Sequence, residues 1–235
     1  MKNKILKIRM YAFLAIGFAL VLTSNRENVS VNNSVTDVDG NIYTTVTIGT
    51  QVWMVENLKV TKYRNGDPIP NVTDNNSWNE LTTDAYCNYE NVTTNVSAYG
   101  RLYNWYAVND NRKIAPMGWH VPTNEEWATL GACLGGNNVA GGKMKEPGTT
   151  HWISPNPVGE SNCGFNGLPG GIRTSYGKNL GVFAYTGQIG AFWSSTNRNE
   201  SEAWMRFLTS YDKVLSSGEL PTYKIYGYSV RCIKD

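Results

Sequence analysis

Charge is scarce in this sequence. Asp, Glu, Lys and Arg make up 17% of 235 residues, against roughly a quarter in ordinary globular chains. Strong helix formers give way to 23 Gly and 27 Asn, residues that favour turns and left-handed backbone. This excludes a helical bundle or a coiled coil. Histidine is nearly absent, with only His120 and His151. The four cysteines, Cys87, Cys133, Cys163 and Cys232, fall in no Cys-x-x-Cys spacing, so a structural zinc site is not expected. There is no Gly-x-Ser-x-Gly elbow and no Gly-x-x-x-x-Gly-Lys loop, which removes the sequence signals of a serine hydrolase and of a phosphate cradle. A basic face is missing too. Outside residues 1–24 the chain carries 17 basic against 19 acidic side chains, a balance unsuited to nucleic acid.

Aromatic residues, by contrast, are plentiful: 8 Trp, 14 Tyr and 6 Phe. They can build a sizeable core, so wholesale disorder is not expected. The one long apolar run is at the start. Lys2, Lys4, Lys7 and Arg9 precede Tyr11–Leu22, and the small Thr23 and Ser24 follow. That is the layout of a secretory signal over residues 1–24, too short for a membrane span. Leu22-Thr23-Ser24-Asn25 fits a bacterial lipobox except in its last position, where Asn25 has no thiolate to accept a lipid. The mature body is expected to be exported to the envelope, cell surface or medium, without membrane insertion. Export permits disulfides among the four cysteines, with three full pairings open.

Residues 25–36 read as a polar spacer. Asp39-Gly40 and Gly49-Thr50 mark turns around Ile42–Ile48 and Gln51–Val55, which predicts a β-meander over about 36–62. Asp37-x-Asp39-x-Asn41 resembles the start of a calcium loop, but Ile42 and Ile48 stand where that loop needs Gly and Glu. Residues 64–97 read as an irregular excursion. A helix is predicted near 100–108. A second is signed by the capping box Thr123-Asn124-Glu125-Glu126, followed by Trp127, Leu130 and Cys133 or Leu134 on one face. From 135 to 190 the Gly, Asn and aromatic content predicts a long loop region. Strands are predicted at 191–195, 203–208 and 226–233. The order describes an α+β domain with antiparallel sheets and two helices.

Several strings resemble one family. They include Asp37–Tyr43, Gly49–Met54, Glu56-Asn57-Leu58, Tyr99–Ala107, Pro116–Pro122, Ala140–Lys145, Leu168–Gly171, Phe192–Thr196 and Tyr228–Cys232. Together they resemble the Fibrobacter succinogenes major paralogous domain of secreted and surface proteins, over about residues 37–235. The resemblance implies a C-type lectin-like fold, grouped with formylglycine-generating enzymes, and carries no established reaction. Family members often hold Cys where this chain has Ala115, so Cys232 lacks its usual partner, and Cys133 and Cys163 are conceivable substitutes. The adjacent thiols of the enzyme-type relatives are missing from 221–230, which removes copper-dependent thiol oxidation.

Candidate functional residues therefore come from the 143–198 segment. Trp152, Tyr176, Tyr185 and Trp193 could stack on sugar faces, with Glu146, Asn156, Asn166, Arg173 and Asn197 for the hydroxyls. Glu146-Pro147 resembles a lectin calcium motif in which Gly148 replaces the Asn, so no cofactor is expected and calcium is only weakly supported. Glu146 and Glu160 are the only carboxylates there for glycosidase chemistry. The expectation is a non-catalytic exported module that meets a glycan or surface ligand on this loop face. A structural or adhesive envelope protein comes second and an enzyme of unknown class third.

Overall fold

The computed structural model describes residues 34–158, 163–176, 179–218 and 222–235; the expected signal 1–24, most of the spacer and Glu160 lie outside them. Chain order begins with a hairpin of β1 (Ser34–Thr36) and β2 (Ile42–Ile48), in register Val35 opposite Tyr43. Its first strand lies inside the expected spacer, which therefore ends earlier than predicted. The Asp37 carboxylate closes the turn by accepting from the Asp39 and Asn41 amides and from the Tyr43 hydroxyl at 2.6 Å, the local habit of turn aspartates. β3 (Gln51–Met54) returns antiparallel, with Ile48 opposite Gln51. The meander is present as predicted.

Short elements follow: α1 (Asn75–Asn79), β4 (Tyr86–Cys87), α2 (Asn95–Tyr99), β5 (Leu102–Tyr103), α3 (Trp105–Val108) and β6 (Trp119–His120). The predicted helix near 100–108 is thus only α3. α4 (Asn124–Cys133) carries the full Thr123/Glu126 capping box. α5 (Asn137–Met144) falls where loop was expected. The remaining strands are β7 (Gly170–Tyr176), β8 (Asn179–Thr186), β9 (Ile189–Asn197), β10 (Ala203–Thr209) and β11 (Ile233–Lys234). The long loop region of the prediction therefore contains a helix and a hairpin. Residues 226–232 are an extended strap instead of the predicted strand, tied to Tyr103, Arg173, Ala191 and Trp193 by backbone hydrogen bonds. The chain is α+β, and its sheets are antiparallel except where β7 and β9 meet in parallel at Gly171 and Gly190.

The first sheet has the order β1-β2-β3-β11-β6, so the last strand sits between early and middle ones. The second has the order β10-β9-β7-β8. Between the sheets and beneath α4 and α5 lies an aromatic core: Trp53, Trp127, Phe165 and Phe192, with centroids 4.9–5.9 Å apart. A second core holds Tyr43, Tyr63, Tyr103, Trp105, Trp193 and Tyr228.

Buried cations organise the irregular chain around these cores. Arg173 donates to the carbonyls of Val72, Thr73, Asp74 and Gly181 and to Asn75 Oδ1, and its guanidinium lies over Trp78 and Phe183 at 4.4 and 4.7 Å. Arg231 joins Met54 O, Phe165 O and Asn57 Oδ1, over the Phe165 ring. Lys145 joins Thr209 O and Asp212 O. These acceptors are neutral, so burial pulls the Lys145 ammonium down to about 8 and holds the Arg231 guanidinium below its ordinary range. Each cation replaces water at several loop carbonyls at once, which compensates its desolvation and locks segments far apart in sequence.

Candidate ligand-binding groove

The two faces of the second sheet follow from strand alternation. Phe192, Arg206 and Leu208 point one way, toward α4 and α5. Ile189, Ala191, Trp193, Met205 and Phe207 point the other way, with Ile172 and Thr174 of β7 beside them. The strap covers Trp193 through Tyr228, whose ring lies 4.5 Å away. Beyond that contact the face is open. It forms a groove of about 460 Å³ floored by Ile172, Ile189, Ala191, Met205 and Phe207 and closed at one end by Tyr226 and Tyr228. Tyr185 and Tyr211 stand at its rim, 49% and 66% exposed. Tyr185 takes a left-handed backbone, φ 66°, which costs free energy for a bulky residue and turns its ring out at the end of β8. Among the described residues no charged side chain lines the groove, and its polar side chains are Thr174, Thr222 and the tyrosines.

The structure moves the site away from most residues predicted for it. Trp152 is 1% exposed and its Nε1 donates to Gly167 O at 3.0 Å. Trp193 is 0% exposed and donates to Tyr103 O at 2.7 Å. Arg173 is wholly enclosed in its carbonyl cage. None of these three presents a face to a sugar, because loops of this length need their aromatics and cations to fill their own interior. Glu146 is half-buried and accepts both its bonds from His151 Nδ1, at 3.0 and 2.8 Å, with Tyr99 edge-on to the imidazole. Asn156 is buried and donates to Glu146 O and Gly148 O. Asn166 is a half-buried turn residue with φ 52°. The side chain of Tyr176 lies outside the described residues. Tyr185 is the predicted aromatic that does reach the open surface, and it borders the groove. Tyr211, Tyr226 and Phe207 were missed; the period-two apolar pattern of 203–209 was the available signal.

The disulfide expectation is also corrected: Cys87, Cys133, Cys163 and Cys232 are free thiols. Cys232 is sealed in the second core and Cys87 in a smaller cluster with Trp78, Tyr89 and Leu102, and burial pushes both thiols up to about 12, far from reactive thiolates.

Elsewhere, His120 is held between two carboxylates. Its Nδ1 lies 2.6 Å from Asp235 and its Nε2 2.8 Å from Glu126. Burial alone would lower its pKa, but the hydrogen bonds to Asp235 and Glu126 prevail and raise it above 6.5. Both ring nitrogens are occupied, so His120 is a clamp and no free general base. Among the described residues no cluster of three or more His, Cys, Asp or Glu could hold a metal ion, and no helix is long and apolar enough to cross a membrane.

No curated protein and no solved structure matches the chain. The ordered strings from Gly49–Met54 to Tyr228–Cys232 do belong together, however: residues 46–234 match the Fibrobacter succinogenes major domain, to which no catalytic function is attached, and the chain belongs to that family.

Proposed function

We propose that the protein is an exported, non-catalytic binding module of C-type lectin-like architecture, and that it recognises a neutral glycan of the cell surface or envelope in the groove of the second sheet. The observation that carries this reading is a groove whose described lining holds no charged side chain, with two exposed tyrosines at its rim. A sugar ring offers a C–H face to an aromatic ring and hydroxyls to its edge, and Tyr185, Tyr211 and Thr174 supply both kinds of contact. The volume suits a small part of a chain of sugars. Calcium has no role in this reading, since the carboxylate of Glu146 is taken by His151.

The runner-up is adhesion to another protein. It is favoured by the predominance of Ile, Met and Phe on the groove floor, which suits an apolar side chain. A glycan-array screen in the presence of calcium and then of chelator separates the two. Chelator-resistant binding to neutral glycans, lost about tenfold in Tyr211→Ala and Tyr185→Ala, is the expected result. Silence of the folded protein on the array, or binding that survives both changes, would transfer the assignment to the adhesive reading.

A further inference from the structure

A second pocket of about 310 Å³ opens beside β6, away from the groove, lined by Arg64, Asn109, Lys113, Ser195 and Asp235 over an apolar wall of Val108, Ile114 and Val121. Two cations, Arg64 and Lys113, line it with one acidic residue, Asp235. Arg64 spends Nε on Ala115 O at 3.1 Å and Nη2 on Pro116 O and Trp119 O at 2.8 and 2.9 Å. Its Nη1 has no protein acceptor among the described residues, and no carboxylate there pairs with the guanidinium. Lys113 is set beside it by a left-handed backbone, φ 61°, held by the Arg64 amide donating to Lys113 O and the Lys113 amide donating to Asp110 O. Asp110, the closest acid along the chain, is taken by Arg112 at 2.8 Å. Asp235 is the one acidic residue among the lining residues, and its Oδ1 is bonded to His120 Nδ1 at 2.6 Å.

We infer that this pocket binds the carboxylate of an acidic sugar residue. Arg64 Nη1 and Lys113 Nζ supply charge-assisted donors to a single carboxylate. The Asn109 amide and the Ser195 hydroxyl, which bond no other described side chain, face the ring hydroxyls. The apolar wall takes the C–H face. A free phosphate or sulfate would leave that wall uncovered, and a neutral sugar would leave both cations unanswered. The site is independent of the sheet groove: it shares no lining residue with it.

The test is a titration of the purified protein with D-glucuronate, D-glucose and acetate, read on the imidazole NMR signals. The sequence has two histidines, so His120 in the pocket wall reports binding and His151 serves as the internal reference. Glucuronate is expected to move the His120 signal saturably, with glucose and acetate each weaker by about tenfold or more, and with about tenfold weakening in Lys113→Asn. Asn tolerates the left-handed backbone, so this variant keeps the fold where Arg64→Gln would strand three carbonyls. Equal affinity for glucuronate and glucose, an unmoved His120 signal, or an unchanged affinity in Lys113→Asn would overturn the carboxylate assignment. Acetate binding as tightly as glucuronate would overturn the sugar assignment. None of these readouts depends on Tyr185 or Tyr211, so the groove can fail without this pocket failing, and the reverse.

Discussion

The two faces of the second sheet use the same strands for opposite ends. On the closed face, Phe192 and Leu208 meet Trp127, Leu130 and Met144, and the rings interlock with Phe165 and Trp53. On the open face, Ile189 and Phe207, an odd number of residues along the same strands from Phe192 and Leu208, remain half-buried beneath the groove. Alternation alone places a residue on one face or the other. What differs is the covering: α4, α5 and the 163–168 turn on one side, and on the other a strap that stops at Tyr226 and Tyr228. Stability should therefore reside on the closed face and ligand contact on the open one.

The largest expected effect comes from emptying the closed face. Trp127→Ala should lower unfolding free energy by about 3–5 kcal/mol, measured by denaturant titration; a loss below 1 kcal/mol would mean that the faces do not differ as described. Next comes the Arg173 cage, which locks the 72–75 segment at the start of α1 to β7 and β8. Arg173→Lys should cost about 2–3 kcal/mol even though charge is kept, because an ammonium cannot reach the spread of carbonyls that the planar guanidinium bonds. Full rescue by Lys would show that charge, and no fixed geometry, holds the cage. Gly141→Ala should cost about 1–3 kcal/mol, since a Cβ there would lie 2.3 Å from Val214 O. A neutral or stabilising result would show that the 212–215 segment is free to retreat from α5.

The smallest effect is expected from the His120 clamp. The His120 pKa is raised above 6.5, so its contribution is present below 6.5 and is lost as pH rises through the raised folded value. Burial would raise the Glu126 pKa, but bonds from Thr123 and His120 prevail and lower it from 4.5. Its contribution is therefore present above 4.5 and lost as pH falls. The clamp is strongest between these limits. His120→Gln should accordingly destabilise by about 0.5 kcal/mol more at pH 5.5 than at pH 8.5, a small figure because the pair is partly exposed. A pH-independent difference would show that His120 acts through packing alone.

The sequence disclosed those parts whose cause is local. The β1–β3 meander follows from Asp39-Gly40 and Gly49-Thr50, and α4 from its capping box. α5 was illegible because its Gly141-Gly142 pair opposes helix propensity; the pair is there so that Val214 and Leu215 can pass close to the helix backbone. That reason lies some seventy residues further along the chain, beyond the reach of any window. The fate of Trp152, Trp193 and Arg173 was hidden for a similar reason. Composition shows that a loop segment owns aromatics and cations, but which of them turn inward depends on carbonyls contributed by 72–74, 103 and 167. Tyr185 differs in having no such remote acceptor to draw it in.

The position of β11 also sets the order in which the molecule can be completed. Ile233 pairs with Trp53 on one side and His120 on the other, and the strap before it donates or accepts at Leu58, Tyr103, Arg173 and Ala191. Neither sheet can close, and neither core can be sealed, until the strap and β11 are in place. Contacts of such long separation make folding slow. A body whose closing strand comes from so far along the chain gains its two cores together, late and in one cooperative step.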